Sequence, residues 1–292
     1  MTMGQCVLIA NKGAGSYSGQ VLERVLALLR EGGIAAELWL AGDFAEICGL
    51  AARASCLPGG PLVVAAGGDG TINAVLNGLA GSGAVCALMP LGTANVLARE
   101  LVIDSPEEAV RRIIAGASRP FSAGLIRGNG RETRFFLMAG IGLDGHVVRG
   151  VTLPQKRRFG KGAYLLAAVR HAFAWDRGRM QVTTATERFA CHTLFVCNTA
   201  RYGGSFLLAP QASIFSPTLE LVAVRATSRG AYLRLVAALL WGRSPAAGDD
   251  LLTLQADRVW VEGAKPVQVD GDDWGDTPVE ITVEREYGRI IV

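Results

Sequence analysis

Two continuous apolar runs in this chain each end in a glycine-rich loop and then pass into a helical pattern. That repeated grammar constrains the fold more than any other feature. The first run, Leu62-Val63-Val64-Ala65-Ala66, enters Gly67-Gly68-Asp69-Gly70-Thr71 and continues as Ile72-Asn73-Ala74-Val75-Leu76-Asn77. The second, Ala84-Val85-Cys86-Ala87-Leu88-Met89, enters Pro90-Leu91-Gly92-Thr93-Ala94-Asn95 before Val96-Leu97-Ala98-Arg99. A strand that is apolar throughout is buried on both faces, as in a parallel sheet covered by helices. In such sheets ligands bind beyond the carboxyl ends of the strands, against the helix starts. Glycine lets backbone approach a ligand closely, and N–H groups at a helix start favour an anion. Two such loops side by side predict a phosphate-binding cleft.

The same alternation runs through residues 1–115. A strand is expected at 6–10, a loop at 11–16, a helix at 21–30, a strand at 34–40 and a helix at 44–54. A further helix at 107–115 follows Ser105-Pro106, where proline suits the first helical position. Beyond Pro120 short strands are expected at 135–139, 180–184, 191–197, 219–224, 259–261 and 279–283, with helices only at 162–175 and 231–241. The chain therefore reads as a two-domain α/β protein. A doubly wound parallel α/β sheet occupies 1–118, with the last C-terminal residues as a candidate addition, and an antiparallel β-rich domain occupies 119–292. The site is expected in the cleft between them.

A net charge of +3 and the lack of an arginine-rich stripe with interleaved aromatics argue against nucleic acid as a partner. The six cysteines (6, 48, 56, 86, 191 and 197) include no CxxC pair and read as small buried hydrophobes in a reducing compartment. No stretch reaches the roughly 18 apolar residues of a membrane span. The apolar run at 6–10 is too short, and lacks the basic leader, for a signal peptide. These features predict a cytoplasmic protein.

Within the first loop, Gly67, Gly68, Gly70 and Thr71 suit a nucleotide phosphate, and within the second Gly92, Thr93 and Asn95 offer an N–H, a hydroxyl and an amide. Helix capping by Thr71, Thr93 or Asn95 is the plain alternative, and the two roles can coexist. Asn11 and Ser16, after the first strand, would close the site from a third side. Asp69 repels phosphate, so it suits a magnesium ligand, direct or through water, or a base that takes a hydroxyl proton. There is no GxxxxGK[ST] and no GxGxxG after the first strand, which argues against a P-loop or a Rossmann dehydrogenase. Asp144, in Ile141-Gly142-Leu143-Asp144-Gly145, reads as a turn residue, and His146 beside it as a surface or turn residue. Lys156, Arg157, Arg158 and Lys161 form the one dense cationic cluster, open to three readings: a solvated loop, an anionic membrane contact or a phosphate contact. The apolar stretch 231–241 reads as a core helix, with Arg229, Arg234, Arg243 and Trp241 admitting an interfacial one.

Residues 67–77 and 90–99 resemble the signature of the diacylglycerol kinase catalytic family, which includes bacterial lipid kinases, sphingosine kinases and ceramide kinases. The resemblance continues through Gly140-Ile141-Gly142-Leu143-Asp144-Gly145, residues 156–164, Tyr202-Gly203-Gly204, Ala209-Pro210-Gln211-Ala212 and Val269-Asp270-Gly271-Asp272. It implies an NAD-kinase-like two-domain fold. The implied activity is transfer of the ATP γ-phosphoryl group, with magnesium, to the hydroxyl of a lipid such as diacylglycerol, ceramide or a sphingoid base. It implies a protein peripheral to the membrane that touches the bilayer transiently, and leaves a homodimer open. It places Asp144 near the acceptor lipid and Asp270 and Asp272 with Asp69 among the catalytic acids.

The chain departs from the family pattern in several places. Lys12 stands for a usual Pro, Ala74 for a frequent Glu, and Val96 for an Asp that many members carry, which leaves Asp69 as the better base. Phe215-Ser216-Pro217-Thr218-Leu219-Glu220 replaces Asp-Asp-Gly-x-Leu-Asp, so a structural magnesium site is not expected there. Asp272 shortens the reach of the usual Glu. The alternatives are a non-catalytic nucleotide- or lipid-binding member, suggested by Val96 and the lost acids, and an NAD kinase. The Thr-Pro-Thr-Gly-Ser-Thr-Ala-Tyr stretch of NAD kinases is missing.

Overall fold

The computed structural model describes residues 4–12, 18–150, 178–203, 206–244 and 247–292. Ser16, the cationic cluster at 156–161 and the helix expected at 162–175 lie outside the described residues. Two compact units are present, one of residues 1–122 with 285–292 and the other of residues 123–284.

The first unit alternates strand and helix: β1 (Gly4–Asn11), α1 (Gly19–Glu31), β2 (Ile34–Ala41), α2 (Phe44–Ser55), β3 (Leu62–Gly67), α3 (Asp69–Gly78), β4 (Val85–Pro90), α4 (Val96–Glu100) and α5 (Pro106–Ala115). The strands pair in parallel in the order β2-β1-β3-β4. Leu8, Ile9, Val63, Val64, Ala65, Leu88 and Met89 are all buried, which is why these strands are apolar without alternation. Helix α1 turns Leu22, Val25 and Leu29 inward. Residues 289 and 290 of the last strand add in parallel beside β4, and Tyr287 Oη donates to Leu76 O at 2.5 Å. Burial pushes the Cys6 thiol up to about 11 and the Cys86 thiol up to about 12, so both stay protonated.

The second unit begins within β5 (Ser118–Gly128) and contains β6 (Arg131–Phe135), β7 (Met138–Ile141), α6 (Leu143–Arg149), β8 (Met180–Thr184), β9 (Arg188–Cys191), β10 (Thr193–Cys197), β11 (Arg201–Tyr202) and β12 (Phe206–Leu207). It continues with β13 (Leu219–Val224), α7 (Arg229–Leu240), β14 (Leu251–Ala256), β15 (Arg258–Glu262), β16 (Pro266–Val269), β17 (Asp272–Asp276) and the start of β18 (Val279–Ile291). One antiparallel sheet runs β14-β13-β10-β7-β16-β17, and a second set runs β18-β15-β8-β9. Side chains of both sets, among them Phe135, Ile141, Val182, Leu194, Leu221, Val259, Val267 and Ile281, share one buried cluster.

Four expectations change here. The strand expected at 135–139 is broken between Phe135 and Met138, and the one expected at 191–197 is broken at His192, so that β9 and β10 join different sheets. Asp144 lies in the first turn of a short helix, α6, rather than in a plain turn. The helix expected at 231–241 is present as α7, but not as a core helix. Only Ala231 and Tyr232 are buried, while Leu233, Val236, Leu240 and Trp241 are exposed. Among the described residues no helix is long and apolar enough to cross a membrane.

Ser105 Oγ accepts Glu108 N at 3.1 Å and Pro106 opens α5, as its sequence predicts. Losing that cap costs about 1 kcal/mol. Ser105→Ala is expected to lower unfolding stability by that amount in urea denaturation.

Candidate active site

Parallel pairing aligns Ala10 with Ala66 and Gly67 with Pro90. Asn11, Gly67 and Pro90 therefore end their strands along one edge of the first unit's sheet. The glycine loops that follow meet backbone to backbone. A Cβ added to Gly92 would overlap Gly68 Cα, and one added to Gly68 would lie 3.3 Å from Gly92 Cα. Leu91 N donates to Gly67 O at 3.0 Å. Asp69, the first residue of α3, reaches across and accepts Val96 N on Oδ1 at 2.6 Å. The acid of one loop thus caps the helix that follows the other.

Asn95 closes its own loop. Its Oδ1 accepts Gly92 N at 2.9 Å and its Nδ2 donates to Gly92 O at 2.8 Å. It sits at φ +48°, a left-handed conformation that asparagine tolerates better than most residues. The N–H of Gly92 and the amide of Asn95, both expected to face a phosphate, are thus bonded to each other. Thr71 is buried against Gly67, where an added Cβ would lie 2.5 Å from Thr71 Oγ1. Gly70 and Thr93 are exposed, and Gly68 and Asp69 are half-buried. Burial raises the Asp69 carboxyl above its ordinary value, and the backbone N–H groups of Val96, Leu97 and Asn95 pull it back.

Gly70 is informative because the fold does not require it. An added Cβ there would meet nothing within 4 Å. A first-turn helical glycine is less favourable than alanine by up to about 1 kcal/mol. Gly70→Ala is therefore expected to leave the protein as stable or more so, and to weaken ATP binding about tenfold in calorimetry. Unchanged ATP affinity would rule out the phosphate contact that the sequence leads one to expect of Gly70. Gly92 makes a poorer probe, since any side chain there separates the loops.

In the second unit the three acids named from the resemblance occupy different surroundings. Asp144 is buried in α6, accepting Tyr202 Oη on Oδ1 at 2.6 Å and Gln268 Nε2 on Oδ2 at 2.7 Å. Burial raises its carboxyl above the ordinary value, and these two donors oppose that rise. Asp270 and Gly271, at φ +48° and +91°, form the hairpin turn between β16 and β17. The Asp270 carboxylate accepts three backbone N–H groups: Phe136 at 2.9 Å on one oxygen, and Leu137 at 3.0 Å and Met138 at 2.9 Å on the other. This holds the break between β6 and β7. Gly271 N donates to Gln268 Oε1 at 2.8 Å, which links the turn to Asp144 through one glutamine. Asp272 is exposed at the start of β17.

Sequence reasoning missed Gln268, although a lone amide inside Pro266-Val267-Gln268-Val269 signals a polar group that burial obliges to find partners. It also gave Tyr202 no role. Glu220 is buried, and its Oε2 accepts Gln211 N at 2.7 Å, so this carboxylate holds backbone where the family pattern places metal-binding aspartates. Among the described residues no group of three or more His, Cys, Asp or Glu side chains could hold a metal.

Asp144→Asn gives a pH test. The unfolded chain ionises near pH 3.9, whereas the folded carboxyl resists ionisation. The contribution of Asp144 to the parent's stability is therefore lost as pH rises from the ordinary carboxylate value through the raised folded one. Denaturation at pH 3 and pH 7 is expected to show the variant gaining on the parent at the higher pH.

Comparison with known proteins then identifies the relationship. The diacylglycerol kinase catalytic domain profile matches residues 5–126, and that of the YegS C-terminal NAD kinase beta sandwich-like domain matches residues 138–292. The chain belongs to the diacylglycerol kinase catalytic-domain family. It is 30% identical over 246 residues to a Chromohalobacter salexigens protein named "Probable lipid kinase YegS-like", covering 80% of this chain and 75% of that one. It is 28% identical to a Bacillus subtilis diacylglycerol kinase, covering 79% and 77%. Among solved structures, a diacylglycerol kinase from Bacillus anthracis aligns over 99% of this chain and 96% of its own, with TM-score 0.75 and 18% identity. An Archaeoglobus fulgidus NAD kinase in complex with ATP aligns over 99% and 94%, with TM-score 0.54 and 14% identity. The fold is thus that of diacylglycerol and NAD kinases, a parallel α/β unit followed by an antiparallel β-rich one.

Proposed function

We propose that this protein is an ATP-dependent lipid kinase that transfers the γ-phosphoryl group to the hydroxyl of a lipid such as diacylglycerol, ceramide or a sphingoid base. The observation that carries the reading is the pair of touching glycine loops, braced by Asp69, at the carboxyl ends of β3 and β4. The first unit binds ATP, with Gly68, Gly70 and Thr93 facing the phosphates, Asn11 beside them, and Gly67, Thr71, Gly92 and Asn95 shaping the loops. The second unit binds the lipid, with Asp144 held by Tyr202 and Gln268 as the acceptor-side polar group. Asp270 positions backbone, and Asp272 is the exposed acid of that turn.

Phosphoryl transfer asks the protein mainly for in-line positioning and charge neutralisation. The acceptor oxygen bonds to the γ-phosphorus as the bond to ADP breaks, and the hydroxyl proton leaves to a carboxylate. We assign that proton to Asp69, whose basicity burial increases. Magnesium carried by the ATP phosphates needs only one or two protein carboxylates, and Asp69 is the residue that would hold it, directly or through water. Lipid with acyl chains is met at a bilayer, so the protein works at a membrane surface.

Radiolabelled ATP with a panel of lipid alcohols, products resolved by mass, tests the reading. One phosphorylated lipid is expected, and none from any acceptor would favour a non-catalytic binder, the alternative that Val96 supports. Asp69→Asn keeps an oxygen for Val96 N, so the fold is expected to survive while turnover falls by at least about 100-fold. Activity near the parent's in a folded variant would remove Asp69 as proton acceptor.

A further inference from the structure

Helix α7 has two apolar faces, and among the described residues only one is covered. Tyr232 belongs to a buried cluster with Met138, Phe195 and Leu251, and Leu235 and Leu239 pack against it. On the other face Leu233, Val236 and Leu240 follow helical spacing, with Trp241 at the C-cap; they are 70%, 49%, 68% and 78% exposed. The helix cannot roll to hide them. His192 Nδ1 and Thr193 Oγ1 each lie 2.6 Å from the buried Tyr232 Oη and fix its rotation. A surface helix ordinarily carries polar side chains on its outer face, and exposed apolar clusters mark contact sites.

The charges around this face identify the contact. Residues 225–243 contain Arg225, Arg229, Arg234 and Arg243 and no Asp or Glu. All four arginines are exposed, and Arg234 pairs with Asp250 at 2.5 Å. Apolar side chains ending in a tryptophan and bracketed by arginines suit the boundary between acyl chains and anionic headgroups. A second copy of the chain fits less well: a stable dimer takes about 20–30 residues a side, and this face offers four large apolar ones.

We propose that the outer face of α7 is the element by which the protein docks on an anionic bilayer, with Leu233, Val236, Leu240 and Trp241 inserted among the acyl chains and the arginines at headgroup level. The need for docking rests on the lipid-kinase reading; the face itself does not.

The test uses the full chain with vesicles of phosphatidylcholine containing about one-third phosphatidylglycerol. Leu233→Ser, Leu240→Ser and Trp241→Ser together alter only exposed positions, so the fold and ATP affinity are expected to be unchanged. Co-sedimentation is expected to fall at least tenfold, and to weaken with salt in the parent because exposed charges are screened. Lipid brominated in the acyl chain is expected to quench parent fluorescence more than that of Trp241→Phe. Vesicle binding that survives the triple change, or no binding by the parent, would overturn the proposal. So would a parent dimer that the triple change dissociates. Phosphorylation of a short-chain, water-soluble diacylglycerol separates the two claims. The triple variant retains it if the kinase reading holds, and loss of docking with no lipid phosphorylated by either protein means that the kinase reading alone has failed.

Discussion

The two glycine-rich loops of the first unit are tied together by the bond from Val96 N to the Asp69 carboxylate, with Leu91 N to Gly67 O beside it. It joins the start of α3 to the start of α4 across the place where Gly68 and Gly92 touch. Neither loop is held by its own chain alone. The contact requires glycine on both sides, and the acid that spans it is half-buried, so its ionised form is sustained by backbone N–H groups. A carboxylate used in this way orders two glycine-rich loops at once. Any later chemistry by Asp69 starts from that fixed position.

The second unit repeats the device. Asp270 gathers the N–H groups of residues 136–138, Glu220 takes Gln211 N, and Asp144 is held between Tyr202 and Gln268. Asp270 and Glu220 each stand where a side chain holds backbone that regular sheet bonding leaves open. Removing the partners of a buried charge costs far more than the pair contributes, which makes these acids structural as well as candidates for chemistry. Asp144 is buried and held by two side chains, Tyr202 and Gln268, rather than by backbone N–H groups.

Much of the first unit was legible because parallel strands buried on both faces write themselves as unbroken apolar runs, and because Ser105-Pro106 and the Gly-Gly-Asp-Gly loop punctuate helix starts. The antiparallel unit was harder to read. Its strands are short, and two of them break at Phe136-Leu137 and His192, where the sequence stays apolar or neutral and the reason is a tertiary bond from Asp270 or a change of sheet. Helix α7 misled for a physical reason. A sequence apolar all round implies burial on every side, whereas Leu233, Val236, Leu240 and Trp241 are exposed. At the site, the residue types were readable but not their pairing. Nothing local says that Asn95 spends its amide on Gly92 or that Asp69 caps a helix 27 residues away.

The central claim is that the braced loops of the first unit receive the phosphates of ATP. Amide hydrogen exchange with and without ATP measures this at the backbone itself. The account predicts slowed exchange at residues 68–71 and 93–94 on saturation with ATP, while the amides of residues 136–138, already held by Asp270, stay as they were. Exchange that is unchanged in both loops at saturating ATP, or protection confined to other segments, would contradict it.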